Sequence, residues 1–205
     1  MELRKIEQMN RLRLSDISDL RAYEREREDF RRDVIALKKL RRIAVGPVIT
    51  VVFENRTTMR FQIQEMARAE KMMSDEALEE ELRAYNPLIP EVGELSLTVF
   101  LELTSQEQLH EWLPKLVGIE RSFVLRIGEG PNRIEFACEV DESHASQLTR
   151  EEITASVHYV RFRMDLSQQL RFASESVVLA TDHPAYQHEC QLSSATKDSL
   201  IADWS

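Results

Sequence analysis

From Leu20 onward, apolar side chains recur in steps of three and four: Leu20, Tyr23, Phe30, Val34 and Leu37. Arg27 and Arg41 take two places in the same stripe. That spacing puts all seven on one face of a helix. Ser15 is a good N-cap, Asp16 and Asp19 suit the positive end of the helix dipole, and Gly46-Pro47 marks the stop. The predicted long helix covers residues 15–42, roughly 40 Å at about 1.5 Å per residue. Its other faces are charged, with Glu28 and Arg32 at favourable i,i+4 spacing. A helix that is apolar on one side only, and interrupted there by Arg27, is expected to project past the core or to lie against a second subunit.

Beyond it the period changes. Residues 48–53 are β-rich and read as a buried strand. Met59, Phe61 and Ile63 alternate as in a strand, while Met59, Ile63 and Met66 recur as on a helix. The helix formers filling 62–71 favour a helix from about Thr58. Ser74 caps a further helix through Tyr85, and Pro87, Pro90 and Gly93 punctuate a loop. Leu95, Leu97, Val99, Leu101 and Leu103 then alternate with Ser96, Thr98, Phe100 and Glu102, a one-sided strand. Ser105-x-x-Gln108 is a capping box for a short helix ending near Pro114. Residues 122–128 and 133–140 flank Glu129-Gly130-Pro131-Asn132 as a hairpin. A second capping-box spacing at Thr149-x-x-Glu152, a strand over 154–164, a helix over 165–173, a strand over 177–181 and a helix ending near Trp204 complete the chain. This order predicts an α+β fold: a largely antiparallel sheet of about six strands with interspersed helices and a long charged N-terminal helix. One domain is expected over 1–205, with residues 1–13 as an N-terminal extension.

Composition narrows the class. With 42% hydrophobic and 31% charged residues, the chain is too apolar for disorder. It has no apolar run long enough to span a bilayer, and its first residues lack the pattern of a secretory signal. A cytoplasmic protein is expected. The net charge of −9 is unevenly spread. Residues 1–75 hold 17 of the basic and 13 of the acidic side chains, and the rest of the chain holds 10 and 23. The basic stretch Lys38, Lys39, Arg41 and Arg42, with Arg27 on the same helix, is either an interaction surface or a solvated helix end. A pI near 5.2 argues against nucleic acid as a partner. Two cysteines make no disulfide framework, and Cys138 falls on the apolar parity of its segment, as a core thiol would.

The chain carries no glycine-rich phosphate loop, no Gly-x-Ser-x-Gly and no His-Glu-x-x-His, so its candidate chemistry lies elsewhere. His158 shares parity with Val160, Phe162 and Met164, so it faces the apolar side and needs a partner. It is either a hydrogen-bonded core histidine or a metal ligand or proton shuttle. His183 follows a predicted strand within Asp182-His183-Pro184-Ala185-Tyr186, and His144 lies in Asp141-Glu142-Ser143-His144. If the fold gathered His144, His158 and His183 with Glu65, the set would suit Fe, Mn or Zn. Asn55, Arg56 and Arg60, between a strand and a helix start, form either an anion-binding helix N-terminus or an ordinary cap with an Arg–Glu65 pair.

Several blocks carry a resemblance. Phe53-Glu54-Asn55-Arg56, Arg60-Phe61-Gln62-Ile63-Gln64-Glu65-Met66, Tyr85-Asn86-Pro87-Leu88-Ile89-Pro90, Leu116-Val117-Gly118-Ile119-Glu120-Arg121, the run from Gln147 to Tyr159, and Asp182-His183-Pro184-Ala185-Tyr186 resemble an uncharacterised bacterial domain-of-unknown-function family. The likeness runs from about Leu14 to the C-terminus. Such proteins are typically encoded beside a rubrerythrin and an iron–sulfur oxidoreductase. The resemblance therefore implies an accessory or interaction protein of a redox or peroxide-defence system, with one of those two as protein partner. The alternative is a metal-binding protein or metalloenzyme using the His/Glu cluster. Self-association through the N-terminal helix is a further expectation.

Overall fold

The computed structural model describes residues 10–140 and 153–204. Its contacts divide the chain into two compact units: residues 10–40 with 54–91, and residues 41–53 with 92–140 and 153–204.

The first unit is helical. A single 3-10 turn at Leu14–Asp16 precedes α1 (Leu20–Arg41). The turn ends because Ile17 is extended, and the helix restarts where the Asp19 carboxylate accepts the N–H groups of Arg21 and Ala22, both at 2.9 Å. Asp19, rather than Ser15, is the cap. Next come α2 (Arg56–Glu70), capped by the Asn55 side chain on Thr58 N–H, and α3 (Asp75–Tyr85), capped by Ser74. Helices α1 and α2 meet through Phe30 and Phe61, edge to face at 5.7 Å between centroids. The buried Gln64 of α2 brackets the backbone of Ser18, just before α1, with its amide. Asn86 does the same for Leu12, accepting from its N–H at 2.8 Å and donating to its carbonyl at 2.9 Å.

The second unit holds the sheets. Strands β1 (Arg42–Ala44), β2 (Ile49–Glu54), β3 (Glu94–Leu101), β7 (Val157–Arg163) and β6 (Glu139–Val140) lie in that order in a five-stranded sheet. Strands β5 (Ile134–Ala137), β4 (Phe123–Ile127), β8 (Val177–His183) and β9 (Tyr186–Gln191) form a four-stranded one. Both are antiparallel, and the fold is α+β. Helices α4 (Gln106–Lys115), α5 (Leu166–Ser174) and α6 (Ser194–Ile201) are inserted singly. The predicted 133–140 strand divides at Cys138: β5 pairs with β4, and β6 pairs with β7 in the other sheet. One apolar core joins the two sheets, from Leu95, Leu97, Val99 and Phe162 on one to Phe123, Leu125, Ile127 and Leu179 on the other. Ser96 and Thr98, on the polar parity of β3, are buried as well. Alternation reports which face is apolar, not which face is dry.

Among the described residues no helix is long and apolar enough to cross a membrane. The Thr149–Glu152 capping-box spacing lies outside the described residues.

Candidate functional site

The most unusual chemistry in the second unit is a buried pair. His158, the second residue of β7, is 1% exposed, and Glu120, in the single helical turn Ile119–Arg121, is 3% exposed. His158 Nε2 lies 2.9 Å from both the Ala155 carbonyl and Thr154 Oγ1. Since a carbonyl only accepts, Nε2 carries the proton and Nδ1 is left as an acceptor. That Nδ1 faces Glu120 Oε2 at 3.9 Å and makes no hydrogen bond among the described residues. Burial pushes the His158 pKa down, opposed by the Glu120 charge. Cys138 completes the surroundings. Its thiol donates to the Glu120 carbonyl at 3.1 Å, and burial pushes its pKa up to about 11, so it is held as a thiol. Sequence parity places His158 inside, but its partner was missed. Glu120 is the acidic member of an otherwise apolar run, Leu116-Val117-Gly118-Ile119, and that contrast was the available signal.

His183 has both ring nitrogens engaged. Ala185 N–H donates to Nδ1 at 3.2 Å, and Nε2 donates to the Val117 carbonyl at 3.1 Å. The ring ties the β8–β9 turn to the loop after α4. Next to it, the buried Tyr186 hydroxyl donates to the Val45 carbonyl at 2.8 Å and accepts from Val48 and Ile49 N–H at 3.1 and 3.2 Å. This closes the β1–β2 connection.

Glu65 belongs to the first unit. Its carboxylate accepts from Nε and Nη2 of Arg27, both at 2.8 Å, and from the Tyr23 hydroxyl at 2.7 Å. The Arg27 hydrogen bonds, with help from Tyr23, hold the Glu65 pKa below the usual carboxylate range. Burial, reinforced by the carboxylate it donates to, pushes the Tyr23 phenol up. Asn55 caps α2 and its own N–H is taken by Thr58 Oγ1. Arg56 pairs with Asp16 at 2.8 Å, while Arg60 approaches Glu26 at 3.4 Å and lies over the Phe30 ring. Each arginine near the α2 start therefore has a carboxylate beside it, and neither pairs with Glu65.

The basic stretch is split by burial. Arg41 is 1% exposed, with Asp203 at 2.6 Å, Ser199 Oγ at 3.0 Å and the Ser199 carbonyl around its guanidinium. Arg42 pairs with Glu102 at 2.6 Å and lies over Phe100. Lys39 is exposed and Lys38 half-buried. His144 lies outside the described residues. Among the described residues, no three His, Cys, Asp or Glu side chains are grouped to hold a metal ion.

No curated protein matches the chain. A crystal structure of a novel protein of unknown function from Burkholderia pseudomallei K96243 is 30% identical to it. That structure covers 95% of this chain and 99% of its own, with a TM-score of 0.84. A family model described as "Protein of unknown function (DUF3501)" matches residues 11–204, and on that match the chain belongs to the DUF3501 family.

Proposed function

We propose that the protein is an accessory component of a bacterial redox or peroxide-defence system, acting by docking on a protein partner rather than by chemistry of its own. The observation that carries this reading is the surface of α1. Over its 22 residues only Tyr23, Val34 and Arg41 are buried. Its C-terminal half exposes Ile35 at 42% and Leu40 at 43%, next to Lys39. Scattered exposed apolar residues are ordinary. Two on one exposed helix, flanked by a cation, offer an apolar contact with a basic rim, which suits an acidic partner surface. The resemblance names the partner class, a rubrerythrin or an iron–sulfur oxidoreductase encoded alongside.

The test is direct binding of the purified chain to each of those two proteins, oxidised and reduced. Association at micromolar concentration is expected with one of them, weakened at least about tenfold by I35E/L40E. No association with either, in both redox states, refutes the reading.

A further inference from the structure

The β9 edge of the four-stranded sheet is built differently from the other sheet edges. Among the described residues the edges at β1, β5 and β6 are three, four and two residues long. Strand β9 keeps six consecutive pairs with β8, from Val178 with Gln191 to His183 with Tyr186, without a bulge. It holds no proline, lysine or arginine, residues that commonly blunt an edge. Just beyond the last pair, Leu192 N–H donates to the Val177 carbonyl at 2.8 Å. Hydrogen-bonded pairs alternate along an antiparallel ladder, so Cys190, His188 and Tyr186 turn their backbone groups toward β8. The Thr181 hydroxyl of β8 agrees, donating to the Tyr186 carbonyl at 3.0 Å and accepting from His188 N–H at 3.2 Å. Gln187, Glu189 and Gln191, all exposed, therefore present their N–H and C=O groups on the open side of the sheet. Alternating donors and acceptors at that spacing match another extended backbone.

Charge selects which strand can add. Arg126, on β4, donates to Glu135 at 2.6 Å and to Glu189 and Asp182 at 2.9 Å each. Glu135 also has Arg133 at 3.7 Å. The surplus negative charge therefore falls on Asp182 and Glu189, which share one guanidinium and are 47% and 65% exposed. A second copy of β9 is a poor occupant. An antiparallel pairing of β9 with itself centred on residue 189 sets Glu189 directly opposite its own copy, and the neighbouring registers leave the two as diagonal neighbours. A cation in that place is attracted instead. Residues paired across strands share a face of the sheet, so its side chain reaches the open depression of about 510 Å³ lined by Arg126, Asp182, Gln187 and Glu189.

We propose that β9 is a strand-addition site, taking an extended segment of a partner protein antiparallel to itself, with a lysine or arginine opposite Glu189. The site uses other residues than the α1 surface and takes a ligand of the opposite charge.

A short capped peptide alternating lysine with valine, titrated into the full chain up to about 1 mM, tests it. It should bind, and the same peptide with glutamate for lysine should bind at least about tenfold more weakly. E189K should weaken binding of the lysine peptide at least about tenfold. Q187P, which removes an outward N–H and no bond to β8, should weaken it about threefold or more. Unchanged circular dichroism shows that both variants fold. In the complex, amide hydrogen exchange at Gln187, Glu189 and Gln191 should slow. I35E/L40E should bind the peptide like the parent, which separates failure here from failure of docking through α1. No binding by the parent overturns the proposal, as does equal binding of the glutamate peptide or binding that survives both E189K and Q187P. Binding that leaves the three amides exchanging as before is contact through side chains alone and overturns strand addition. Self-association that Q187P abolishes, in place of peptide binding, puts a second copy on the edge and overturns it too.

Discussion

Replacing either member of the Arg41–Asp203 pair should destabilise the sheet unit, and the two replacements should differ in a predictable order. The guanidinium is 1% exposed, whereas the Asp203 side chain is 22% exposed. Breaking a buried ion pair by removing one partner costs about 3–5 kcal/mol, because the charge left behind is poorly solvated. Arg41→Met leaves the carboxylate, which still reaches water, and a side chain of similar length fills part of the space. Its cost belongs near the lower figure, about 3 kcal/mol. Asp203→Ala leaves a guanidinium that cannot lose its proton and keeps the Ser199 hydroxyl and carbonyl as acceptors. Its cost belongs near the upper figure, about 5 kcal/mol. Both tryptophans, Trp112 and Trp204, belong to this unit, so tryptophan fluorescence in a urea titration reports its unfolding. With a slope of about 1–3 kcal/mol per molar urea, Arg41→Met should lower the midpoint by about 1–3 M. The reasoning fails if Arg41→Met shifts the midpoint by less than about 0.3 M, or if it is the more damaging of the two.

Two further perturbations follow from the buried polar contacts. Burial holds the folded His158 pKa below the unfolded value of about 6.5, so between the two it is the unfolded chain that binds the proton. Stability is full above pH ~6.5 and falls as pH drops, by at most about 1.4 kcal/mol per unit from this group. Urea midpoints of the parent and of His158→Gln, compared at high and low pH, should show the steeper loss in the parent, and parallel losses would refute it. Gly46 sits at φ +78°, and a Cβ there would collide with the His188 ring and the Tyr186 hydroxyl. Gly46→Ala should therefore cost about 2 kcal/mol or more by urea unfolding, and a neutral result would show that the β1–β2 turn can move.

Much of the element order is legible from periodicity and caps. Ser74 and Ser105 cap the helices that follow them, and the 122–128 run pairs across its turn with residues 134–137. Two kinds of element were harder to read. Strand β9 consists of Tyr186, Gln187, His188, Glu189, Cys190 and Gln191, with no β-branched residue and only Tyr186 buried, because it is an edge strand and has little to bury. Strand β1 is three residues emerging directly from α1, and only its pairing with β2 distinguishes it from a fraying helix end. The start of α1 moved from Ser15 to Asp19 because Ile17 is buried in an extended conformation, and propensity for a cap does not report that.

The candidate site divides along a similar line, and the two arginines in the apolar stripe of α1 show why. A charged residue at a core position of an amphipathic helix reads as an interruption of its apolar stripe. Arg27 instead donates twice to Glu65, and Arg41 is sealed around Asp203 and Ser199. Such placement persists only where a carboxylate offsets the desolvation of the guanidinium. The interruption itself was therefore a signal for a specific inward acidic partner. His158 differs: parity announces its burial, and its Nε2 is satisfied by local partners, the Ala155 carbonyl and the Thr154 hydroxyl, while Glu120 lies 3.9 Å from its Nδ1. Periodicity identifies the polar residue that is out of place. Identifying which second residue compensates an inward arginine requires the tertiary fold, because Glu65 and Asp203 are each distant in sequence from the guanidinium they pair with.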